Sequence, residues 1–233
     1  MKVVAINTIM EMSEPSLAKL SFPEISGLSI EPAQPEDAEA YRQLYHDVGR
    51  GHLWLSRTRW TTEDYKNRIE DKTIYVWLAR IHEEPVGFAE IGKIEDGTVQ
   101  IFFLGVSPRH EGEGIGKHLL SFAVREAWKL NPRMLWLLTR NYDGEYALQN
   151  YRKRGFGVTK VRPELLGVSK EYEAEAREVL KIARERNLHP RWRQIVLAYL
   201  RDTWPGELAR NAVYWWRMRK LKRKLHDQKS EIQ

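Results

Sequence analysis

Hydrophobic residues first recur at helical spacing after a weakly alternating segment, residues 1–27, that predicts no definite element. A short strand at Leu28–Glu31 precedes Pro35-Glu36-Asp37, which places proline and acids in the first turn of a helix. The apolar positions of that helix lie three or four residues apart, at Ala38, Tyr41, Leu44 and Tyr45. A second helix begins near Thr61, where a threonine cap precedes two acids.

The pattern of hydrophobic residues then changes from helical spacing to that of strands, which predicts a meander of three antiparallel strands. The strands are Thr73–Arg80, Val86–Ile91 and Val99–Val106. The last connection contains Asp96-Gly97, and this dipeptide accepts the positive φ angle of a tight hairpin turn.

Helices and a strand alternate in the second half. A helix is predicted at Lys117–Leu130, a buried strand at Met134–Thr139 and a short helix at Tyr146–Arg154, which ends at Gly155. Helical periodicity returns over residues 170–187, 190–204 and roughly 206–226. We predict an α/β (α+β) fold, a mixed and mainly antiparallel twisted sheet flanked by helices. The predicted units are an N-terminal extension (1–27), the α/β domain (28–165) and a helical basic C-terminal region (166–233).

Composition excludes several classes of protein. The 233 residues contain no cysteine, which excludes disulfide scaffolds, thiol catalysis and cysteine-based zinc sites. The seven histidines show no metal-ligand spacing, so no metal is expected. The longest apolar run, Ile195–Leu200, is far shorter than the roughly 20 residues of a membrane span, and the first residues do not resemble a signal peptide. These features lead us to expect a soluble, cytoplasmic protein.

Positive charge is concentrated in the last part of the chain. The formal net charge is +6, and residues 188–233 alone contribute +7, from eleven basic and four acidic residues. Four of the nine tryptophans also lie there, which predicts that this part packs against other residues. Val213–Leu225 combines aromatic with cationic residues, a pattern that suits nucleic acid or anionic lipid, although a solvated helix face is the commoner role.

Residues 106–120 carry the strongest motif. They read V-S-P-R-H-E-G-E-G-I-G-K-H-L-L, a strand followed by a glycine-rich loop and a helix. The first N–H groups of a helix have no intrahelical partner and favour an anion, and glycine allows the backbone to approach it closely. The spacing matches neither a Walker loop nor the dinucleotide fingerprint. A tight turn that binds no ligand is the alternative interpretation.

Two motifs in this order resemble those of the GNAT superfamily of N-acetyltransferases. The pattern V-x-P-x-x-x-G-x-G-x-G-x-x-L-L resembles the family's acetyl-CoA-binding motif. Further along, Ala147-x-x-x-Tyr151-x-x-x-Gly155-Phe156 resembles the A-x-x-x-Y-x-x-x-G-F signature, and Trp136–Thr139 is similar to the strand before it. The resemblance covers roughly residues 28–162 and leaves both terminal segments unexplained.

The resemblance implies acetyl-CoA as the acyl-donor cosubstrate. In the family, two neighbouring strands splay apart, and the pantetheine arm pairs with the freed backbone of the first, which here would be Leu104, Gly105 and Val106. The pyrophosphate would be bound by backbone N–H groups at the loop and helix start, namely those of Gly112, Gly114, Ile115, Gly116 and Lys117. The family usually has Gln or Arg at the position of Glu111 and often a basic residue at that of Glu113. The two acids of this chain would weaken the binding of the pyrophosphate. Arg109, Lys117 and His118 would partly offset them.

Catalysis by this family requires an acid for the leaving thiolate and a base for the acceptor. Tyr151 stands at the family's position for the acid, and a tyrosine with a pKa of about 10 stays protonated at neutral pH; packing against the sheet is its alternative role. Gln100 stands where family members often carry a carboxylate, and it would orient a water or the acceptor. Glu90 is the candidate base by strand pairing, with a solvated or structural role as the alternative. Asp143 is a second candidate base that would otherwise cap a helix.

The predicted function is an acetyl-CoA-dependent N-acetyltransferase that moves an acetyl group to a primary amine by direct attack in a ternary complex. Trp54, Arg57, Trp60 and Tyr65 lie in the acceptor region, where they line the substrate pocket or, alternatively, form core packing beside a solvated arginine. A homodimer is a further expectation. The alternative function is a non-catalytic scaffold of the same fold whose basic C-terminal helices bind nucleic acid or an anionic membrane surface.

Overall fold

The computed structural model describes residues 1–144, 146–186 and 188, and this part of the chain contains seven strands and five α-helices. The strands are β1 (Lys2–Met12), β2 (Leu28–Pro32), β3 (Ile74–Ile81), β4 (Glu84–Lys93), β5 (Val99–Val106), β6 (Leu135–Arg140) and β7 (Gly157–Gly167). The helices are α1 (Ala38–Arg50), α2 (Thr62–Glu70), α3 (Ile115–Lys129), α4 (Ala147–Lys153) and α5 (Glu173–Glu185).

All seven strands form one sheet in the order β2-β3-β4-β5-β6-β1-β7. Every neighbouring pair is antiparallel except β5 and β6, which are parallel. The predicted meander is therefore confirmed, and so is the mixed, mainly antiparallel fold class.

Local sequence signals explain how several elements begin and turn. The Thr61 side chain accepts a hydrogen bond from the backbone N–H of Asp64, whose carboxylate accepts in return from the backbone N–H of Thr61. This reciprocal cap starts α2 where the sequence predicted it. Gly97 has a φ of 78°, as the predicted hairpin turn between β4 and β5 requires.

Alternating side chains of the meander supply two separate cores. In β3, Val76 and Leu78 face the aromatic residues of α1 and α2, whereas Trp77 and Ala79 face α3. The apolar positions of α1 lie on its buried side, as the helical spacing predicted. The central strands are thus covered by helices on both faces.

The N-terminal segment, for which the sequence predicted no definite element, supplies a strand in the interior of the sheet. β1 pairs with β6 over Asn7–Met12 and with β7 along almost its whole length. Met10 and Met12 are fully buried in the core beneath α3. Residues 2–12 are therefore a structural part of the sheet that holds the α/β fold together.

The end of the described chain packs back onto β1. The helix predicted from residue 170 is present as α5, where Ala176 and Val179 contact Val3 and Ala5 of β1 and Leu53 of the α1–α2 connection. The helices predicted at 190–204 and 206–226 lie outside the described residues, as does the cationic pattern at 213–225. None of the described helices is long and apolar enough to cross a membrane.

Candidate active site

The parallel strands β5 and β6 separate after a short stretch of pairing. Their backbones pair only between the Val99–Leu135 and Ile101–Leu137 residue pairs. On its other side, β5 remains paired with β4 as far as Val106. The edge of β5 that faces β6 therefore carries free backbone groups from Phe102 onward. This is the splay that the resemblance implied.

The glycine-rich loop places helix α3 at the open end of this gap. Gly112 and Gly114 both have a φ of 86°, in the left-handed region that residues with a Cβ rarely adopt. The first helical hydrogen bond runs from the His118 N–H to the Gly114 carbonyl. The N–H groups of Ile115, Gly116 and Lys117 precede it and are the orphan donors of the helix start.

A cavity of about 790 Å³ follows the splay from the glycine loop to the α1–α2 connection. Nine of the residues predicted for the site line it: Gln100, Leu104, Gly105, Val106, Gly112, Gly114, Gly116, Lys117 and Tyr151. Ile115 and Glu90 do not line it, and their side chains are fully buried. For Ile115 the backbone N–H is the predicted ligand, so burial of its side chain does not conflict with that role.

Tyr151 stands on α4 and is half-buried, with its ring against Phe156 at 6.3 Å between centroids. Burial, and secondarily the negative charge of Asp143, raise the pKa of Tyr151 above its ordinary value. The phenol therefore holds its proton at neutral pH. That state is the one a proton donor to a thiolate requires.

The surroundings of Glu90 argue against its predicted role as general base. Its carboxylate accepts two hydrogen bonds from Arg57, at 2.6 and 2.8 Å, two from Arg68 and one from the Tyr41 hydroxyl. Burial raises the pKa of the Glu90 carboxyl, but Arg57 and Arg68 outweigh it, and the pKa lies below its ordinary value. A fully buried carboxylate held ionised by two guanidinium groups has little tendency to take a proton, so Glu90 acts as a structural anchor.

The aromatic residues of the acceptor region divide into two groups. Trp54 lines the cavity, whereas Tyr65 is fully buried and Trp60 packs over the Arg57 guanidinium at 4.4 Å. Arg57 is only 4% exposed, so it is neither a pocket-lining residue nor the solvated arginine of the alternative interpretation. Of the four predicted residues, Trp54 alone reaches the cavity.

Asp143 lies in the cavity wall, and its carboxylate already accepts three hydrogen bonds. Oδ2 accepts from the Thr139 hydroxyl at 2.6 Å and from the Arg140 backbone N–H at 2.7 Å. Oδ1 accepts a longer bond, 3.4 Å, from Nε1 of Trp54. Oδ1 is therefore the atom with remaining capacity for a ligand, and the predicted helix cap is absent because the bonds run back to β6 instead.

The charges around the glycine loop are more favourable than the two acids suggested. Glu113 does not line the cavity and hydrogen-bonds His110 at 3.1 Å, so Glu111 is the loop acid that lines it. Lys117, Lys153 and Arg154 line the same cavity. Nε of Arg154 is buried without a hydrogen-bond partner among the described residues, and burial lowers the pKa of this arginine.

His118, which was expected to offset the loop acids, is turned to other residues. Its Nδ1 donates to the Pro23 carbonyl at 3.1 Å, so this ring packs on the N-terminal segment.

His52 is a cavity residue that sequence patterns did not single out. It lies just after α1 and is half-buried beside Trp54, with 6.3 Å between ring centroids. Its position depends on the next residue, Leu53, whose left-handed φ of 54° turns the chain. No sequence pattern predicted this turn.

The sequence profile of the acetyltransferase (GNAT) family matches residues 38–156. The chain belongs to this family of acetyltransferase enzymes. The match includes β5, the glycine loop, α3 and Tyr151, so the family resemblance is confirmed over the part of the chain that builds the cavity.

Individual relatives are more distant. A mycothiol acetyltransferase of Kineococcus radiotolerans is 31% identical over 120 residues, which are 50% of this chain and 39% of that protein. The match thus spans well under half the length of this relative. A GCN5-related N-acetyltransferase from Kribbella flavida has a similar structure, with a TM-score of 0.51, 19% identity, and coverage of 75% of this chain and 62% of that one. A Drosophila protein aligns with a TM-score of 0.53 at 15% identity, over 72% of this chain and 52% of that one.

Proposed function

We propose that the protein is an acetyl-CoA-dependent N-acetyltransferase that transfers an acetyl group to a primary amine in a ternary complex. The observation that carries this proposal is the cavity, because one space joins the free edge of β5, the N-terminus of α3 and the Tyr151 side chain. The name of the 31% identical relative supports acetyl transfer.

The donor end of the cavity fits the parts of acetyl-CoA in order. Backbone groups of Leu104, Gly105 and Val106 would pair with the amides of the pantetheine arm, since this edge of β5 has no partner strand. The N–H groups of Ile115, Gly116 and Lys117 would hold the pyrophosphate at the positive end of the helix dipole. Lys117, Lys153 and Arg154 add positive charge there, against the single acid Glu111.

The acceptor end suits an ammonium group. Asp143 Oδ1 supplies negative charge, and Trp54 and Phe103 supply aromatic surface at the other side of the cavity from the loop. Gln100 also lines this part and can hydrogen-bond the acceptor or a water, but it takes no proton.

The reaction requires three proton movements. The bound ammonium loses one proton to become an amine, whose lone pair forms the C–N bond with the thioester carbonyl carbon. The nitrogen then loses a second proton, the C–S bond breaks, and Tyr151 donates its hydroxyl proton to the departing thiolate. When Tyr151 is reprotonated, the products are the amide, the free thiol and one proton released to solvent.

Two measurements test the proposed function. Acetyl-CoA at about 100 times its Kd should stabilise the fold by about 2.7 kcal/mol, which raises the Tm by roughly 5–10 °C for a chain of this length. With acetyl-CoA and a panel of amines (a free amino acid, a polyamine, an amino sugar and a peptide), a thiol reagent should detect CoA release that depends on the amine. Stabilisation without release for any amine would overturn transfer to a primary amine and leave a CoA-binding scaffold.

A further inference from the structure

We infer that His52 is the general base that accepts the proton lost by the attacking nitrogen. This inference deepens the proposed function and rests on it, since the proton in question belongs to the acceptor amine. Three features support this role: the tautomer of the ring, its fixed position in the cavity wall, and the hydrogen bonds and ion pairs that already occupy the other candidate bases.

A single hydrogen bond defines the tautomer of His52. Its Nδ1 lies 3.0 Å from the backbone carbonyl oxygen of Tyr142. A carbonyl oxygen only accepts, so Nδ1 carries the hydrogen, and in the neutral ring Nε2 carries the lone pair. The Tyr142 carbonyl is itself fixed, because its residue is buried and its hydroxyl donates to the Val4 carbonyl at 2.8 Å. His52 is therefore held in the form that accepts a proton at Nε2.

The backbone around His52 is held in an unusual conformation that keeps the ring in the cavity wall. Leu53 adopts a left-handed φ of 54° although it is not glycine, and it is buried against Val3, Ala5 and Tyr142. The N–H groups of both His52 and Trp54 donate to the Gly49 carbonyl, which closes the turn after α1. Strained, well-packed backbone of this kind is typical of residues with a functional position. The turn presents His52 and Trp54 to the same cavity.

The remaining carboxylates near the acceptor are poorly placed for base catalysis. Glu90 is buried with two arginines outside the cavity. Asp143 accepts hydrogen bonds from Thr139, Arg140 and Trp54, and its remaining capacity, at Oδ1, suits binding of the acceptor ammonium. Glu111 belongs to the glycine loop at the donor end. His52 is the histidine among the described residues that line the cavity, and histidine is the side chain that most often acts as a general base.

Charged and titratable groups reach this cavity from every element around it. They are Glu111 and Lys117 of the loop and α3, Arg140 of β6, Asp143 of the following turn, Tyr146, Tyr151, Lys153 and Arg154 of α4 and its ends, and Arg186 after α5. Asp143, through Trp54, is the acid nearest to His52 in the network of contacts.

His52 also completes the proton balance of the transfer. Nε2 takes a proton from the nitrogen as the C–N bond forms, and Tyr151 loses a proton to the thiolate as the C–S bond breaks. The imidazolium then returns its proton, through water, to the Tyr151 phenolate. Both side chains regain their starting forms, and the proton lost by the acceptor ammonium goes to solvent.

The decisive variant is His52→Asn, because the asparagine amide can still donate to the Tyr142 carbonyl while Nε2 is removed. We expect kcat for the best amine of the panel to fall at least about 100-fold, with the Kd for acetyl-CoA and the Tm unchanged. Added imidazole should restore part of the rate in the variant, because it can accept the proton that Nε2 would take. The matched control is His46→Asn, on α1 just before His52 and outside the cavity, which should keep wild-type kinetics.

A second readout does not need an acceptor. Nitrogen NMR of labelled imidazole rings should show His52 as the Nδ1–H tautomer; the Nε2–H tautomer would overturn the inference. Wild-type kcat in His52→Asn would also overturn it and leave the proposed function standing. If the wild-type protein itself transfers acetyl to no amine, the proposed function fails, and the role of His52 as a base fails with it.

Discussion

Arg57 and Glu90 form a two-bond ion pair beneath the acceptor end of the cavity, with 2.6 Å between Nη1 and Oε2 and 2.8 Å between Nη2 and Oε1. Arg57 is 4% exposed and Glu90 is fully buried. The pair joins the α1–α2 connection, which carries His52 and Trp54, to the central strand β4. Its role is therefore to fix the position of the acceptor wall.

Glu90→Gln should destabilise the protein strongly. It leaves the guanidinium of Arg57 buried and without its counter-charge, and breaking a buried ion pair from one side costs about 3–5 kcal/mol. At roughly 2–4 °C per kcal/mol for a chain of this length, the Tm should fall by about 6–20 °C, as measured by differential scanning calorimetry at pH 7. Glu126→Gln is the matched control, since it breaks surface pairs with Arg125 and Lys129 and should change the Tm little.

The same variant should show a distinct pH dependence. Because the pKa of Glu90 is lowered in the folded protein, its ionisation stabilises the fold above the ordinary carboxyl value, and this contribution is lost as the pH falls through the lowered pKa. The difference in Tm between wild type and Glu90→Gln should therefore be constant at neutral pH and shrink in acid below about pH 4.5. A difference that stays constant into acid would show that the carboxylate charge is not what stabilises the fold.

Tyr151→Phe tests the acid. The variant keeps the ring that packs against Phe156 and removes only the hydroxyl, so acetyl-CoA should raise its Tm as much as in the wild type. We expect kcat to fall about 100-fold or more, since the thiolate loses its positioned proton donor. Tyr75→Phe, on β3 away from the cavity, is the control. Unchanged turnover in Tyr151→Phe would remove this residue from the mechanism.

Gly114→Ala tests the donor loop. Alanine at a φ of 86° is strained by about 1–2 kcal/mol, and relief of that strain moves the N–H groups at the start of α3 away from the pyrophosphate. The Kd for acetyl-CoA, measured by calorimetric titration, should rise at least about tenfold. Gly97→Ala introduces the same kind of strain, at a φ of 78°, in the hairpin between β4 and β5. It should lower the Tm similarly and leave the Kd unchanged; an equal loss of affinity in both variants would assign the effect to stability alone.

The parts of the fold predicted from sequence are those determined by local patterns. The meander, α3 and the cap at Thr61 each follow from periodicity, glycine or a capping residue within a few positions. The placement of Tyr151 beside the glycine loop followed from the family resemblance. These signals were sufficient to locate the donor end of the cavity.

The acceptor end depends on contacts between residues distant in sequence. Glu90 becomes an anchor because Arg57, in a loop 33 positions earlier, and Arg68, on a helix 22 positions earlier, bind its carboxylate. Strand pairing alone did not show these partners. His52 enters the cavity through the left-handed turn at Leu53, which has no signature in a leucine. β1 was not predicted because its pairing partners, β6 and β7, lie more than 120 residues later in the chain, and local patterns do not show such pairing.

Met10→Ala tests whether the N-terminal strand belongs to the core. The side chain is fully buried beneath α3, so its truncation should cost about 2–5 kcal/mol, which lowers the Tm by roughly 4–20 °C. Glu11→Ala changes the next residue of the same strand, whose side chain is only half-buried, and should cost much less. The pairing of β1 with β6 also predicts that loss in Met10→Ala weakens acetyl-CoA binding at elevated temperature, because β6 forms one side of the splay. Equal stability of the two variants would mean that β1 is a detachable extension and that β6 is held by other contacts.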